Sequence, residues 1–69
     1  MLLTERQIRV LQLLSEGYTQ EEIGALISRS NKTVELEVLH IRKDLGARNT
    51  MHAVSIALVA KIIDGPKIG

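Results

Sequence analysis

The sequence predicts an all-α domain of four short helices, and three observations carry that expectation. A Ser, Thr or Asn stands before each apolar run, in two cases with Gln or Glu three residues further on. Within the runs, Leu, Ile, Val and Ala recur at three- and four-residue spacing, the period of one helix face. Glycine follows the first and third runs, where a left-handed stop is needed.

The first helix, expected over residues 5–16, starts at Thr4-Glu5-Arg6-Gln7. This is a capping box: the threonine hydroxyl accepts from the third helical amide, and Gln7 reaches back to the amide of Thr4. Ile8, Val10, Leu11, Leu13 and Leu14 form its apolar face, and Gly17 ends it. Thr19-Gln20-Glu21-Glu22 repeats the box for a second helix over 20–27, with Ile23, Leu26 and Ile27 expected inward. Gly24 sits inside that helix at a cost of about 1 kcal/mol relative to alanine. It marks either a close approach by a neighbouring backbone or a tolerated weak spot.

After a turn of about three residues, Ser30 is the expected cap of a third helix over 31–45. Val34, Val38, Ile41 and Leu45 follow at i, i+4, i+7 and i+11, a buried stripe, and Gly46 ends the run. Two helices joined by so short a turn have the form of a helix-turn-helix. Asn49 is the expected cap of a fourth helix over 50–63, stopped by Asp64-Gly65-Pro66. From residue 53 to 63 only Ser55 and Lys61 are not apolar, so this helix must be covered on more than one side. If Ala53, Val54, Ala57 and Ala60 pack inward, Leu58, Val59 and Ile62 are left as one contiguous patch. A two-fold dimer would bury that patch; the alternative is the tail folding over it. Lys67-Ile68-Gly69 reads as a frayed tail.

At 69 residues the chain holds one domain. A domain this short buries only about 60% of the surface its unfolded chain exposes, so its stability is marginal unless a disulfide, a metal or a partner subunit helps. There is no Cys, and His40 and His52 have no ligand cluster with zinc spacing, which leaves self-association. Neither a metal nor a cofactor is expected. Tyr18 is the only aromatic residue, expected to pack at the corner of the first two helices. The absence of Phe and Trp argues against single-strand modules that stack bases on exposed rings. Met1 to Thr4 leads straight into charged residues, with no signal-peptide pattern, and no apolar run approaches the roughly 18 residues of a membrane span. A cytoplasmic, nucleoid-associated protein without membrane contact is therefore expected. The net charge of +1 says little as a total. Residues 28–49, however, carry five basic side chains (Arg29, Lys32, Arg42, Lys43, Arg48) against three acidic ones (Glu35, Glu37, Asp44).

The residues Leu3-Thr4-x-Arg6, Val10-Leu11-x-Leu13, Glu16-Gly17-Tyr18-Thr19 and Glu22-Ile23, then Ser30-x-Lys32-Thr33-Val34-Glu35, Leu45-Gly46-x-Arg48-Asn49 and Ala53-Val54, occur in one order and spacing. That combination resembles the LuxR/GerE-type DNA-binding domain, over about residues 3–60. The resemblance implies a tri-helical core plus a C-terminal dimerisation helix, with the third helix in the major groove of double-stranded DNA. It further implies a transcriptional regulator acting as a homodimer, with RNA polymerase or another regulator as further partners. Most members carry this module on a longer chain; Met1 and the short tail favour a complete small protein over an excised fragment.

Outward positions of the third helix follow once its inward stripe is assigned: Lys32, Glu35, Leu36, Leu39, His40 and Lys43, with Thr33 near the cap. Lys32 and Thr33 can hold a phosphate through charge and helix-end amides together. Lys43 and Arg29 are second-rank phosphate contacts, and His40 is a polar surface position. By resemblance, Thr19 and Gln20 meet the duplex backbone, and Glu35, Leu36 and Leu39 read bases. Glu35 accepts from a cytosine amino group, and the leucines offer apolar contact to thymine methyls. Glu37 departs from the family, where a histidine is common, and a carboxylate there would repel phosphate. The alternative function is a protein-interaction module of the same fold, acting on another regulator through the fourth helix. An enzyme is not expected: there is no Cys nucleophile or phosphate-cradling glycine loop, and Glu35 and Glu37 point about 200° apart around a helix.

Overall fold

The computed structural model describes residues 3–65. Both threonine capping boxes form. Thr4 Oγ1 accepts from Gln7 N at 3.0 Å while Gln7 Oε1 accepts from Thr4 N at 2.9 Å, opening α1 (Glu5–Ser15). Thr19 and Glu22 repeat the exchange at 3.2 and 2.9 Å for α2 (Gln20–Ile27). Ser30 caps α3 (Asn31–Leu45), and Asn49 Oδ1 accepts from His52 N at 2.9 Å to cap α4 (Thr50–Val59). The His52 Nδ1 atom in turn accepts from Arg48 N at 3.0 Å, so a side chain three positions into the helix satisfies an amide just outside it.

All four helices end through a residue in the left-handed region. Gly17 and Gly46 do so without strain, but Ser28 and Lys61 also take it, each at φ 58°. At Lys61 the turn is a Schellman motif, with Ile62 N donating to Ala57 O at 2.8 Å and Lys61 N to Leu58 O at 3.1 Å. This turn corrects the expected end of the fourth helix: α4 stops at Val59, four residues short of 63, before Asp64-Gly65-Pro66 is reached. The reversed chain drops Ile63 into the core and brings Asp64 against α1, where the Gln12 carboxamide pairs with its backbone: Nε2 donates to Asp64 O (2.9 Å), and Oε1 accepts from Asp64 N (3.1 Å).

The core joins Val10, Leu11 and Leu13 of α1, Ile23 of α2, Val34, Val38 and Ile41 of α3, Ala53 and Ala57 of α4, and Ile63. Leu45 completes the α3 stripe as a partly buried neighbour. Burying one such Val, Leu or Ile side chain is worth roughly 1.5–3 kcal/mol, so the set is what holds four short helices together. Leu26, expected inward, is exposed: α2 directs Ile23 and Gly24 at its neighbours, and Leu26 lies round the helix from that contact. Ala60, also expected inward, is exposed because it caps the end of α4.

Leu58 and Ile62 do not form the expected free patch with Val59. The turn at Lys61 folds both against the core, leaving Val59 exposed at 82%. Tyr18 stands at the α1–α2 corner with 39% of its surface open. Lys67-Ile68-Gly69 and Pro66 lie outside the described residues. Among the described residues no helix is long and apolar enough to cross a membrane.

Candidate nucleic-acid interface

Gly24 is the residue that lets α2 and α3 approach. A Cβ built there would stand 2.8 Å from the Arg29 carbonyl oxygen and 3.5 Å from Val34 Cγ2. The first is far inside van der Waals contact with rigid backbone, so the close-approach reading of Gly24 holds. The turn Ser28-Arg29-Ser30 then brings the chain into α3, where Ser30 Oγ accepts from Thr33 N at 3.2 Å.

With Val34, Val38 and Ile41 buried, the opposite side of α3 carries Lys32, Leu36, Leu39 and Lys43 at i, i+4, i+7 and i+11. All four are exposed, Leu36 at 45% and Leu39 at 40%. Glu35 and His40 flank the stripe and are exposed as well. Over eleven residues the helix rises about 16 Å, so a cation stands at each end of an apolar centre. No acidic residue occupies the first turn of α3, and Arg42 and Lys43 stand in its last.

A shallow groove runs beside this stripe, lined by Gln20 at the start of α2, Lys32, Glu35, Leu36 and Leu39 of α3, and also Arg42 and Thr50. Five of the expected site residues are thus brought together. His40 and Lys43 lie along the same helix outside the groove, and Arg29 is exposed in the turn, with its Nη1 donating to Ser28 O at 3.3 Å. Thr19 is exposed; its amide donates to Glu22 Oε1 and its hydroxyl accepts from Glu22 N, which leaves the hydroxyl proton free to donate. Thr33 is half-buried, and its hydroxyl lies 3.0 Å from Ser30 Oγ, where either oxygen can be the donor.

Sequence reasoning missed Arg42 and Thr50. Arg42 Nη2 donates to Arg48 O at 3.1 Å, which binds the end of α3 to the loop leading into α4 and sets Thr50 at the groove. The available signal was positional: Thr50 opens a helix only a short loop away from the end of α3.

Glu37 faces another side of α3. Its carboxylate is not on the outward stripe but faces α1, 3.4 Å from Arg6 Nε, with 18% of the side chain exposed. Two residues from Glu35, it lies round the helix from the groove, and Arg6 offsets part of its charge.

A glycine-dependent helix pair whose second member shows a cation-ended outer face defines a helix-turn-helix DNA-binding protein. The chain belongs to the bacterial regulatory proteins of the luxR family, whose GerE pattern matches residues 1–57. It is 33% identical over 63 residues to the oxygen regulatory protein NreC of Staphylococcus aureus strains JH9 and JH1, a span of 91% of this chain and 29% of NreC. The chain therefore covers under a third of the length of these curated relatives. The solved structure of transcription factor GerE is similar with a TM-score of 0.88 at 26% identity, covering 93% of this chain and 96% of that one. The family is one of transcription regulators rather than enzymes.

Proposed function

We propose that the chain is a sequence-specific, double-stranded DNA-binding regulator of transcription that acts as a homodimer, with α3 lying in the major groove. The observation that carries this reading is the stripe Lys32, Leu36, Leu39 and Lys43, set opposite the buried Val34, Val38 and Ile41. A rod held on one side and cation-ended on the other can enter a groove about 12 Å wide with its lysines near the phosphate walls. Gln20 and Thr50, at the starts of α2 and α4, supply backbone-contact positions on either side.

The dimer contact in this reading is α4. Its exposed face centres on Met51, Ser55 and Val59, at i, i+4 and i+8, rather than on Leu58 and Ile62. Met51 and Val59 are 84% and 82% exposed, an apolar pair that a two-fold contact would cover. Such a dimer would present two α3 helices to half-sites about one helical turn apart. RNA polymerase or another regulator would be met by surfaces outside the groove.

The competing reading, a protein-interaction module that no longer reads DNA, draws on exposed Leu36 and Leu39. Glu37 no longer supports it, being turned onto Arg6. Selection of bound duplexes from a random pool, at two salt concentrations, separates the two. A recovered motif whose affinity falls steeply with salt supports the regulator. No retention of any duplex at low salt, combined with capture of a larger family member, supports the module.

A further inference from the structure

Of the two cations that line the groove, Lys32 is exposed and Arg42 is half-buried, and the fold leaves the donors of Arg42 incompletely used. A guanidinium carries five N–H groups and no acceptor. Nη2 of Arg42 donates to Arg48 O at 3.1 Å. Nε is covered from solvent and finds no acceptor. Among the described residues Nη1 makes no hydrogen bond, and no carboxylate lies within ion-pair distance of the guanidinium. Glu37, the paired carboxylate of α3, is committed to Arg6.

Stability does not account for this residue. A covered donor without an acceptor costs at least as much as one neutral hydrogen bond gains, so the Nε–H offsets the bond to Arg48 O. A cation that a fold draws in from water is ordinarily paired, and an apolar side chain of similar length would pack the same stem without either effect. Position is more telling. Arg42 stands about 100° round α3 from buried Ile41 and about 100° from exposed Lys43. It therefore lies at the border between the packed side and the outward stripe, in the groove that Gln20 and Thr50 also line. A helix about 10–12 Å across fills a major groove about 12 Å wide. Side chains on its outermost line meet base edges, and those at its borders meet the phosphate walls. The Arg48 carbonyl fixes the guanidinium before a duplex arrives, so little side-chain freedom is left to lose on binding.

We propose that Arg42 is a phosphate-binding residue, anchored on Arg48 O through Nη2 and donating from Nη1 to a phosphodiester oxygen of the strand that passes Thr50. This inference rests on the DNA-binding reading above and adds to it a contact that the lysines of the outward stripe do not make.

The test uses the full chain, duplexes recovered from a random pool, and the same duplexes with single phosphates replaced by neutral methylphosphonates. Arg42→Met should weaken binding about tenfold on all duplexes alike, the worth of one charge-assisted hydrogen bond. The slope of log K against log salt should fall by about 0.9. One methylphosphonate that weakens wild-type binding should no longer weaken this variant, because its partner is gone. Arg42→Lys keeps a cation at the position and should keep both the slope and that sensitivity. The melting temperature of Arg42→Met should stay close to wild type, since the unpaired Nε–H is lost together with the bond to Arg48 O. A methionine variant that no longer folds, or one with the wild-type slope and the full set of sensitive phosphates, assigns the guanidinium to bracing the loop and overturns the inference. A loss confined to one guanine overturns it in favour of base reading. In each of these outcomes salt-dependent binding by the wild type keeps the regulator reading, whereas no duplex binding by the wild type at low salt overturns both.

Discussion

Gln12 and Asp64, 52 residues apart, form a two-bond ring in which one side-chain amide stands in for a strand partner, at 2.9 and 3.1 Å. It is the only polar tie that holds the turn after α4 to α1 among the described residues, and it keeps Ile63 seated in the core. A typical hydrogen bond is worth about 0.5–1.5 kcal/mol net, and these two are solvent-exposed, so Gln12→Ala should cost about 1 kcal/mol. In a domain of this size that lowers the melting temperature by about 4–8 °C. Calorimetry checks it, and duplex affinity at low temperature should not change, since Gln12 lies away from the groove.

Gly24→Ala sets two effects against each other. Alanine gains about 1 kcal/mol in helix propensity, yet its Cβ would lie 2.8 Å from the Arg29 carbonyl, a backbone atom that cannot rotate away. Overpacking of this kind costs about 1–3 kcal/mol, so the net change is destabilising and splays α2 from α3. Urea unfolding should show a lower midpoint; a midpoint at or above wild type would mean that the turn relaxes freely.

Lys61 and Ser28 hold left-handed backbone that glycine would adopt without strain. The left-handed region costs a residue with a Cβ about 1–2 kcal/mol, and part of the gain from glycine is lost to its freer unfolded chain. Lys61→Gly is expected to stabilise by about 0.5–1 kcal/mol, seen as a raised melting temperature. Ser28→Gly should act in the same direction.

Glu37 gives a sharp test of geometry. Because its carboxylate faces Arg6 across a part-exposed pair, a double-mutant cycle on Arg6 and Glu37 should give a coupling below about 1 kcal/mol. Glu37→Gln should leave duplex affinity within about twofold and the salt slope unchanged. A marked rise in affinity would place the carboxylate beside phosphate instead of beside α1.

Lys32 and Lys43 end the outward stripe, and each should neutralise one phosphate. Substituting either by alanine should weaken binding to all duplexes alike and reduce the slope of log K against log salt by about 0.9. An effect confined to one base position would assign the lysine to base reading.

Much of this architecture was legible along the chain. The capping residues Thr4, Thr19, Ser30 and Asn49, the glycine stops at 17 and 46, and the stripe Val34, Val38, Ile41 and Leu45 all appear where the residues demand them. These are interactions over three or four positions, where spacing alone decides which groups meet. The outward positions of α3 follow from the same period, so most of the candidate groove was visible as well.

What remained hidden depended on which surfaces meet across the fold. Periodicity could not say that Lys61, rather than the Asp64-Gly65 stretch, would reverse the chain, because alanine and isoleucine around it continue a helix well. Burying Ile63 and pairing Asp64 with Gln12 favours the earlier stop, and that turn is what withdraws Leu58 and Ile62 from the surface. The same holds for Leu26, which stays half exposed, and for Glu37, whose orientation acquires meaning only once α1 brings Arg6 beside it. Helix positions and faces were set by the chain's own short-range chemistry; the length of α4, the free part of its surface and the pairing of Glu37 with Arg6 were decided by contacts between segments far apart in sequence.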